Sequence, residues 1–255
     1  MGSRDLTPRS TADISTADII EEAQRRIEQR PPPPPPESPW IRRANHVVFW
    51  LAKHWLGLFN VLMGLYVGGT FLAPVLMWLD YNSAGEILYR IYMPFCHQYP
   101  FRSWFLFGPQ ATYPAQQILQ AQDMARLYHQ VIGSPTIGYK VALCQRDVAI
   151  YGSMVLGGVA FALLRKRFKM PSLPLWAYFV FGVTPMLIDG GWQWLGYAVR
   201  WIFAPEWWTP HETTAFWRTL TGALFGLGLV ALGYPSMHEY FEETRELVGK
   251  RYGWQ

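Results

Sequence analysis

WLGLFNVLMGLYVGGTFLAPVLMWL, residues 55–79, contains no Asp, Glu, Lys, Arg or His. As a helix rising 1.5 Å per residue, these 25 positions reach roughly 37 Å, enough to cross a bilayer core of about 30 Å with some tilt. The competing reading is a large soluble α-protein with buried helices, and runs this long argue against it. Trp40-Ile41-Arg42-Arg43 precedes the run as an interfacial anchor, and Ala44–His54 extends the helix along the interface. Gly64, Gly68 and Gly69 offer a small-residue face for packing, and Pro74 predicts a kink.

Outward from this stretch the pattern repeats. Val141 to Leu164 is apolar and ends on Arg165-Lys166-Arg167-Phe168-Lys169, a cytoplasmic flank. Leu173 to Phe203 and Thr214 to Tyr234 are the next spans, the last carrying Gly222, Gly226, Gly228 and Gly233 for close packing. Glu86 to Phe107 is apolar too, but Arg90, His97, Arg102, Pro94 and Pro100 interrupt it. That predicts a broken segment packed in protein at the outer face. The expectation is an all-α polytopic membrane protein with four transmembrane helices, one broken outer segment and both termini cytoplasmic.

The flanks complete the plan. Residues 1–39 read as a mobile cytoplasmic arm without a cleaved leader, with a short charged helix from Asp18 to about Arg30 and a stiff proline run from Pro31 to Pro36. The transmembrane domain covers 40–235, with extracytoplasmic loops over 109–140 and 204–213, the first holding a short helix over 114–131. Residues 236–255 form an amphipathic cytoplasmic tail. The formal charge is +4, but its basic residues cluster beside apolar runs, which fits a lipid bilayer as partner and not nucleic acid.

Chemistry concentrates in three segments: Cys96-His97-Gln98-Tyr99-Pro100-Phe101-Arg102-Ser103, Cys144-Gln145-Arg146-Asp147, and Asp189-Gly190-Gly191-Trp192-Gln193. Helix arithmetic brings them to one depth in the outer half of the bilayer. Cys144, Asp147 and Tyr151 share a helix face, as do Asp189 and Gln193. An ionisable residue within a span is a functional-site hypothesis by default. The bland reading is that Arg102, Arg146 or Arg200 pairs with the carboxylates and locks the bundle. For the two cysteines, three readings stand: a Cys96–Cys144 disulfide; metal ligation, zinc by ligand type, drawn from Cys96, His97, Cys144, Asp147 and Asp189; and an exchanging thiol pair. No phosphate-binding glycine loop, nucleophile elbow or zinc-protease motif is present, so no reaction is assigned and enzyme activity is left open.

Cys96-His97-Gln98-x-Pro100-x-Arg102-Ser103, then Cys144-x-Arg146-Asp147-x-x-x-Tyr151-Gly152, then Pro185-x-x-x-Asp189-Gly190-x-x-Gln193 together resemble an uncharacterised family of bacterial and archaeal integral membrane proteins, one of those catalogued as a domain of unknown function. The resemblance covers about residues 50–235. It implies a small helical protein of a prokaryotic plasma membrane with its polar site near one face, and it implies no known reaction. Two functions follow as expectations. One is a polar Cys/His/Asp/Arg site binding a metal ion or an anionic, lipid-like ligand. The other is a non-enzymatic accessory subunit of a larger membrane complex, its outer face held by a disulfide and ion pairs.

Overall fold

The computed structural model describes residues 20–21, 24–25, 38–114, 117–118, 131–203 and 211–254. The proline run, most of the two short helices expected around it and over 114–131, and Glu206–Pro210 lie outside the described residues. The chain divides into two compact units, Met1–His46 and Val47–Gln255. In the first, Arg25 pairs with Glu21 one helical turn away at 2.7 Å.

Among the remaining described residues, five longer helical stretches and a small sheet stand out. They are α1 (Pro39–Trp78), α2 (Asn82–Tyr92), β1 (Ser103–Leu106), β2 (Gly133–Ser134), β3 (Gly138–Cys144) and α3 (Gln145–Leu164), then a helix in three pieces and a last long helix. The three pieces are α4 (Leu175–Tyr178), a π-helical turn (Phe179–Val183) and α5 (Thr184–Phe203), and the last helix is α6 (Ala215–Tyr252). Among the described residues, α1, α3 and α6 are long and apolar enough to cross a membrane. The expected span Leu173–Phe203 is helical but interrupted by the π turn.

Large apolar side chains face outward along these helices: Leu65 is 68% exposed, Leu156 73%, Leu163 70% and Trp201 86%. Such a surface would drive aggregation in water, and is what lipid tails solvate. The fold is therefore helical and membrane-like, as composition implied.

Two segments depart from the expectation. Residues 138–144 form the central strand of an antiparallel sheet in the order β1-β3-β2, so the following span starts at Gln145 and not at Val141. A short continuous apolar run reads alike as buried strand or buried helix, and here both faces of the strand are covered. Gly133 and Gly138, at φ 136° and 81°, shape the hairpin between β2 and β3; a Cβ on Gly138 would sit 2.3 Å from the Leu106 carbonyl oxygen.

The second departure is at the C-terminus, where α6 continues past Pro235 into the expected tail. Proline cannot donate to the carbonyl four residues back, Ala231. That carbonyl instead accepts the Leu173 backbone N–H at 2.9 Å, while Leu232 O accepts the Ser172 hydroxyl at 2.5 Å. The connection before α4 thus satisfies what the proline frees. Gly253, left-handed at φ 69°, ends the helix.

Packing fixes the ends of the bundle. Gly222 and Gly226 let α6 lie against α3, where a Cβ on Gly226 would come within 2.3 Å of Ile150 O. Gly228 faces Tyr178 and Gly69 faces Tyr92, whereas among the described residues nothing lies within 4 Å of a Cβ built on Gly64, Gly68 or Gly233. One apolar cluster joins Ala73, Met77, Tyr89, Tyr92, Cys96, Tyr139 and Leu143, tying the end of α1 to α2 and β3. At the opposite end Phe49 meets Trp254 with ring centroids 5.7 Å apart, and Arg165 reaches the His238 ring at 3.0 Å. The sheet, the start of α3 and the start of α6 therefore share one end.

Candidate functional site

The 96–103 motif is first a structural device. Gln98 adopts a left-handed backbone at φ 53°, a conformation that costs a non-glycine residue about 1–3 kcal/mol and is held by its surroundings. Its side-chain amide donates to Tyr89 O at 2.7 Å, and its carbonyl accepts from Lys140 Nζ at 2.7 Å. Ser103 Oγ donates to Tyr99 O at 3.1 Å, while Ser103 O accepts from Gln145 Nε2 at 3.1 Å. Pro100 opens the 3-10 turn between them. Cys96 is buried and adjacent His97 is exposed, so the two side chains leave the backbone toward different surroundings.

Cys96 joins Cys144 and Asp147. The donor atoms of these three all lie within 4.8 Å of one another. Cys144 Sγ donates to Asp147 Oδ2 at 3.1 Å, and the Cys144 backbone N–H donates to Cys96 Sγ at 3.3 Å. Both cysteines are free thiols, which corrects the expected disulfide: each sulfur is engaged in a hydrogen bond instead of a bond to its neighbour. The hydrogen bond with Cys144 pulls the Cys96 thiol below its ordinary pKa, and the same bond together with burial pushes Cys144 well above. Lys140, fully buried in β3, interacts electrostatically with Cys96, and burial pushes its ammonium down to about 7. Tyr151, a turn beyond Asp147, packs edge-on against Tyr66 at 5.1 Å.

Successive residues on a helix diverge by about 100°, so Arg146 cannot share the direction of Asp147. Arg146 pairs with Asp189 of α5, whose Oδ2 also accepts from Thr221 Oγ1 at 3.2 Å. Beside this pair stands a second carboxylate, Glu212. It accepts from Arg102 Nη2 and Nε at 2.6 and 3.1 Å, from Arg218 Nη2 at 2.6 Å, and from Gln193 and Tyr197. Arg218, only 5% exposed, also reaches Gln145 Oε1 at 3.2 Å and Phe101 O at 3.3 Å. Burial lowers what a guanidinium can hold, yet the Glu212 partner keeps Arg102 above its ordinary pKa.

A cavity of about 560 Å³ opens among His97, Arg102, Arg146, Gln193, Trp194 and Tyr197. His97 stacks on Tyr99 at its edge, with ring centroids 5.7 Å apart. The three sequence segments thus meet at one end of the bundle but sort into two clusters. His97 and Asp189, expected among the metal ligands, lie with the arginines and not with the thiols.

Glu212, Arg218, Lys140 and Tyr197 were not singled out from sequence, and Gln145 appeared only within the second motif. Glu212 lies in the expected outer loop 204–213, and Arg218 lies within the apolar span Thr214–Tyr234, where an intramembrane charge is itself a signal. Lys140 closes the expected loop 109–140 and lies instead in β3.

By fold and surface the chain is a helical membrane protein with buried polar clusters at one end. Residues 135–232 match the model of a family described as Predicted membrane protein (DUF2085). This range holds the second and third motifs; the first lies before it. The chain is also 28% identical over 133 residues to Uncharacterized protein MJ1492 of Methanocaldococcus jannaschii, an alignment covering 49% of this chain and 64% of that relative. The match therefore spans less than two thirds of the relative's length. No solved structure matches this chain. The resemblance to an uncharacterised prokaryotic membrane family stands on these matches.

Proposed function

We propose that this protein binds an anionic group, phosphate-like in chemistry, in the arginine-lined cavity at the extracytoplasmic face of a prokaryotic plasma membrane. The observation that carries the reading is the charge and shape of the cavity. Arg102 and Arg146 stand on its wall, and the ion-pair cluster they belong to, with Arg218, sets three guanidiniums against two carboxylates, Asp189 and Glu212, one positive charge in excess. The volume of about 560 Å³ lies within the range of about 300–1,000 Å³ typical of small-molecule sites. Arg102 and Arg146 line it, and guanidinium forks suit phosphate oxygens. Trp194 and Tyr197 on its wall are the aromatics that favour a membrane interface. A lipid headgroup and a free phosphate share this chemistry.

Thermal unfolding of the purified protein in detergent tests it, with inorganic phosphate in one arm and short-chain phosphatidic acid in the other, each against chloride at matched ionic strength. Stabilisation by the lipid alone identifies a headgroup site, and by both a phosphate site. Arg102→Gln should lose the shift relative to its own baseline. No shift beyond chloride in either arm refutes the proposal.

A second reading, a non-enzymatic accessory subunit, is favoured by one observation: each of the three guanidiniums already has a carboxylate partner in the chain itself. On that reading the cluster locks the outer face, anions have no effect, and mild extraction yields the chain within a larger complex.

A further inference from the structure

The second cluster belongs to neither reading. We propose that Cys96, Cys144 and Asp147 form a binding site for a thiophilic divalent cation of the zinc class, with the fourth coordination position open. Thiolate and carboxylate donors from three positions suit zinc, and three protein ligands with one open position mark sites that expose the ion to water or a substrate.

The geometry is close to what coordination requires. Two thiolates bound tetrahedrally at about 2.3 Å from zinc lie about 3.8 Å apart. The donor atoms here are already within 4.8 Å of one another, so bringing them onto an ion needs a contraction of about 1 Å or less. They sit on stiff supports. Cys144 ends β3, Asp147 is in the first turn of α3, and Cys96 is packed in the apolar cluster with Tyr92 and Leu143. Asp147 already accepts from Cys144, at 3.1 Å; a cation displaces that proton and takes both atoms as ligands.

The surroundings match the charge of such a site. Two thiolates and one carboxylate around a divalent ion leave one negative charge. The Cys144 backbone N–H donates to Cys96 Sγ at 3.3 Å. That donor offsets part of the charge from outside the coordination sphere, in the manner of the partners that tune metal ligands. Binding releases the two thiol protons to solvent while Asp147 enters ionised, so no oxidant or reductant takes part.

The full chain, purified in detergent under reducing conditions, gives the test. It should take up about one equivalent of Zn²⁺ or Co²⁺, with Co²⁺ producing thiolate charge-transfer absorption and tetrahedral d–d bands. Both thiols should resist maleimide until a strong chelator is added, a readout that needs no variant. Asp147→Asn should weaken Co²⁺ affinity by at least the 10–100-fold that loss of an outer-shell partner costs, and Cys96→Ser should weaken the charge-transfer band, since one of its two thiolates is lost. Arg102→Gln, on the arginine cavity, should leave Co²⁺ uptake unchanged, which separates this proposal from the anion site. Failure of the reduced wild type to bind either ion overturns the proposal. So does a Cys96–Cys144 disulfide in the native protein, or Co²⁺ binding unaltered in both ligand variants.

Discussion

Lys140 offers the sharpest test of how this fold is held together. Its side chain is fully buried, its Nζ donates to Gln98 O at 2.7 Å, and burial lowers its pKa from 10.5 to about 7. The unfolded chain keeps its proton up to about 10.5, the folded chain only up to about 7. Between those values the unfolded state holds more protons, so stability rises with pH through the window and is lost as pH falls through about 7. At about 1.4 kcal/mol per pH unit, the interval amounts to about 5 kcal/mol.

Lys140→Met removes this titration and leaves the Gln98 carbonyl without its donor, at a cost of about 1–3 kcal/mol. The variant should be more stable than the wild type by about 2–4 kcal/mol at pH 6, where the buried lysine must carry its proton. As pH rises the difference should shrink and then reverse, because the neutral lysine keeps its hydrogen bond. For a chain of this size each kcal/mol shifts Tm by about 2–4 °C, so the difference between the two proteins should change by roughly 5–10 °C between pH 7 and 9. Tryptophan fluorescence during thermal unfolding in detergent measures it. Melting curves of wild type and variant that shift in parallel across this range would refute the reasoning, since they would show that Lys140 titrates alike folded and unfolded.

Three further outcomes follow from the same structure. Asp189→Asn leaves the Arg146 guanidinium with no carboxylate and should destabilise the protein by about 3–5 kcal/mol, most of it recovered by adding Arg146→Met; thermal melts of the single and double variants decide whether the pair is a lock. Gly226→Ala puts a methyl group 2.3 Å from Ile150 O between α3 and α6 and should cost about 1–3 kcal/mol, whereas Gly233→Ala, which meets nothing within 4 Å, should be tolerated. A cysteine at exposed Gln110 should react with a membrane-impermeant maleimide in intact cells and one at exposed Lys166 only after lysis, and the reverse pattern would invert the topology.

The sequence alone determined the class of this protein, because class follows from local quantities. A run of 25 uncharged residues and basic clusters beside apolar segments require no knowledge of what packs where. The three polar segments were equally legible, since a charge or thiol in an apolar run is costly wherever it lands. What the tertiary structure decided was partnership. Residues 138–144 became a strand and not the start of a helix because β1 and β2 cover its edges and both its faces are buried, and no apolar run encodes its own neighbours. The helix through Pro235 survives because Leu173, more than 60 residues earlier, satisfies the carbonyl that proline frees. The single constellation expected from depth split in two because Arg146 and Asp147, adjacent in sequence, diverge around α3. Glu212 became the hub of one cluster because α5 and α6 bring Gln193, Tyr197 and Arg218 to it while β1's approach brings Arg102. Spacing along a helix fixes the direction in which a side chain leaves, and only the packed bundle fixes what waits for it there.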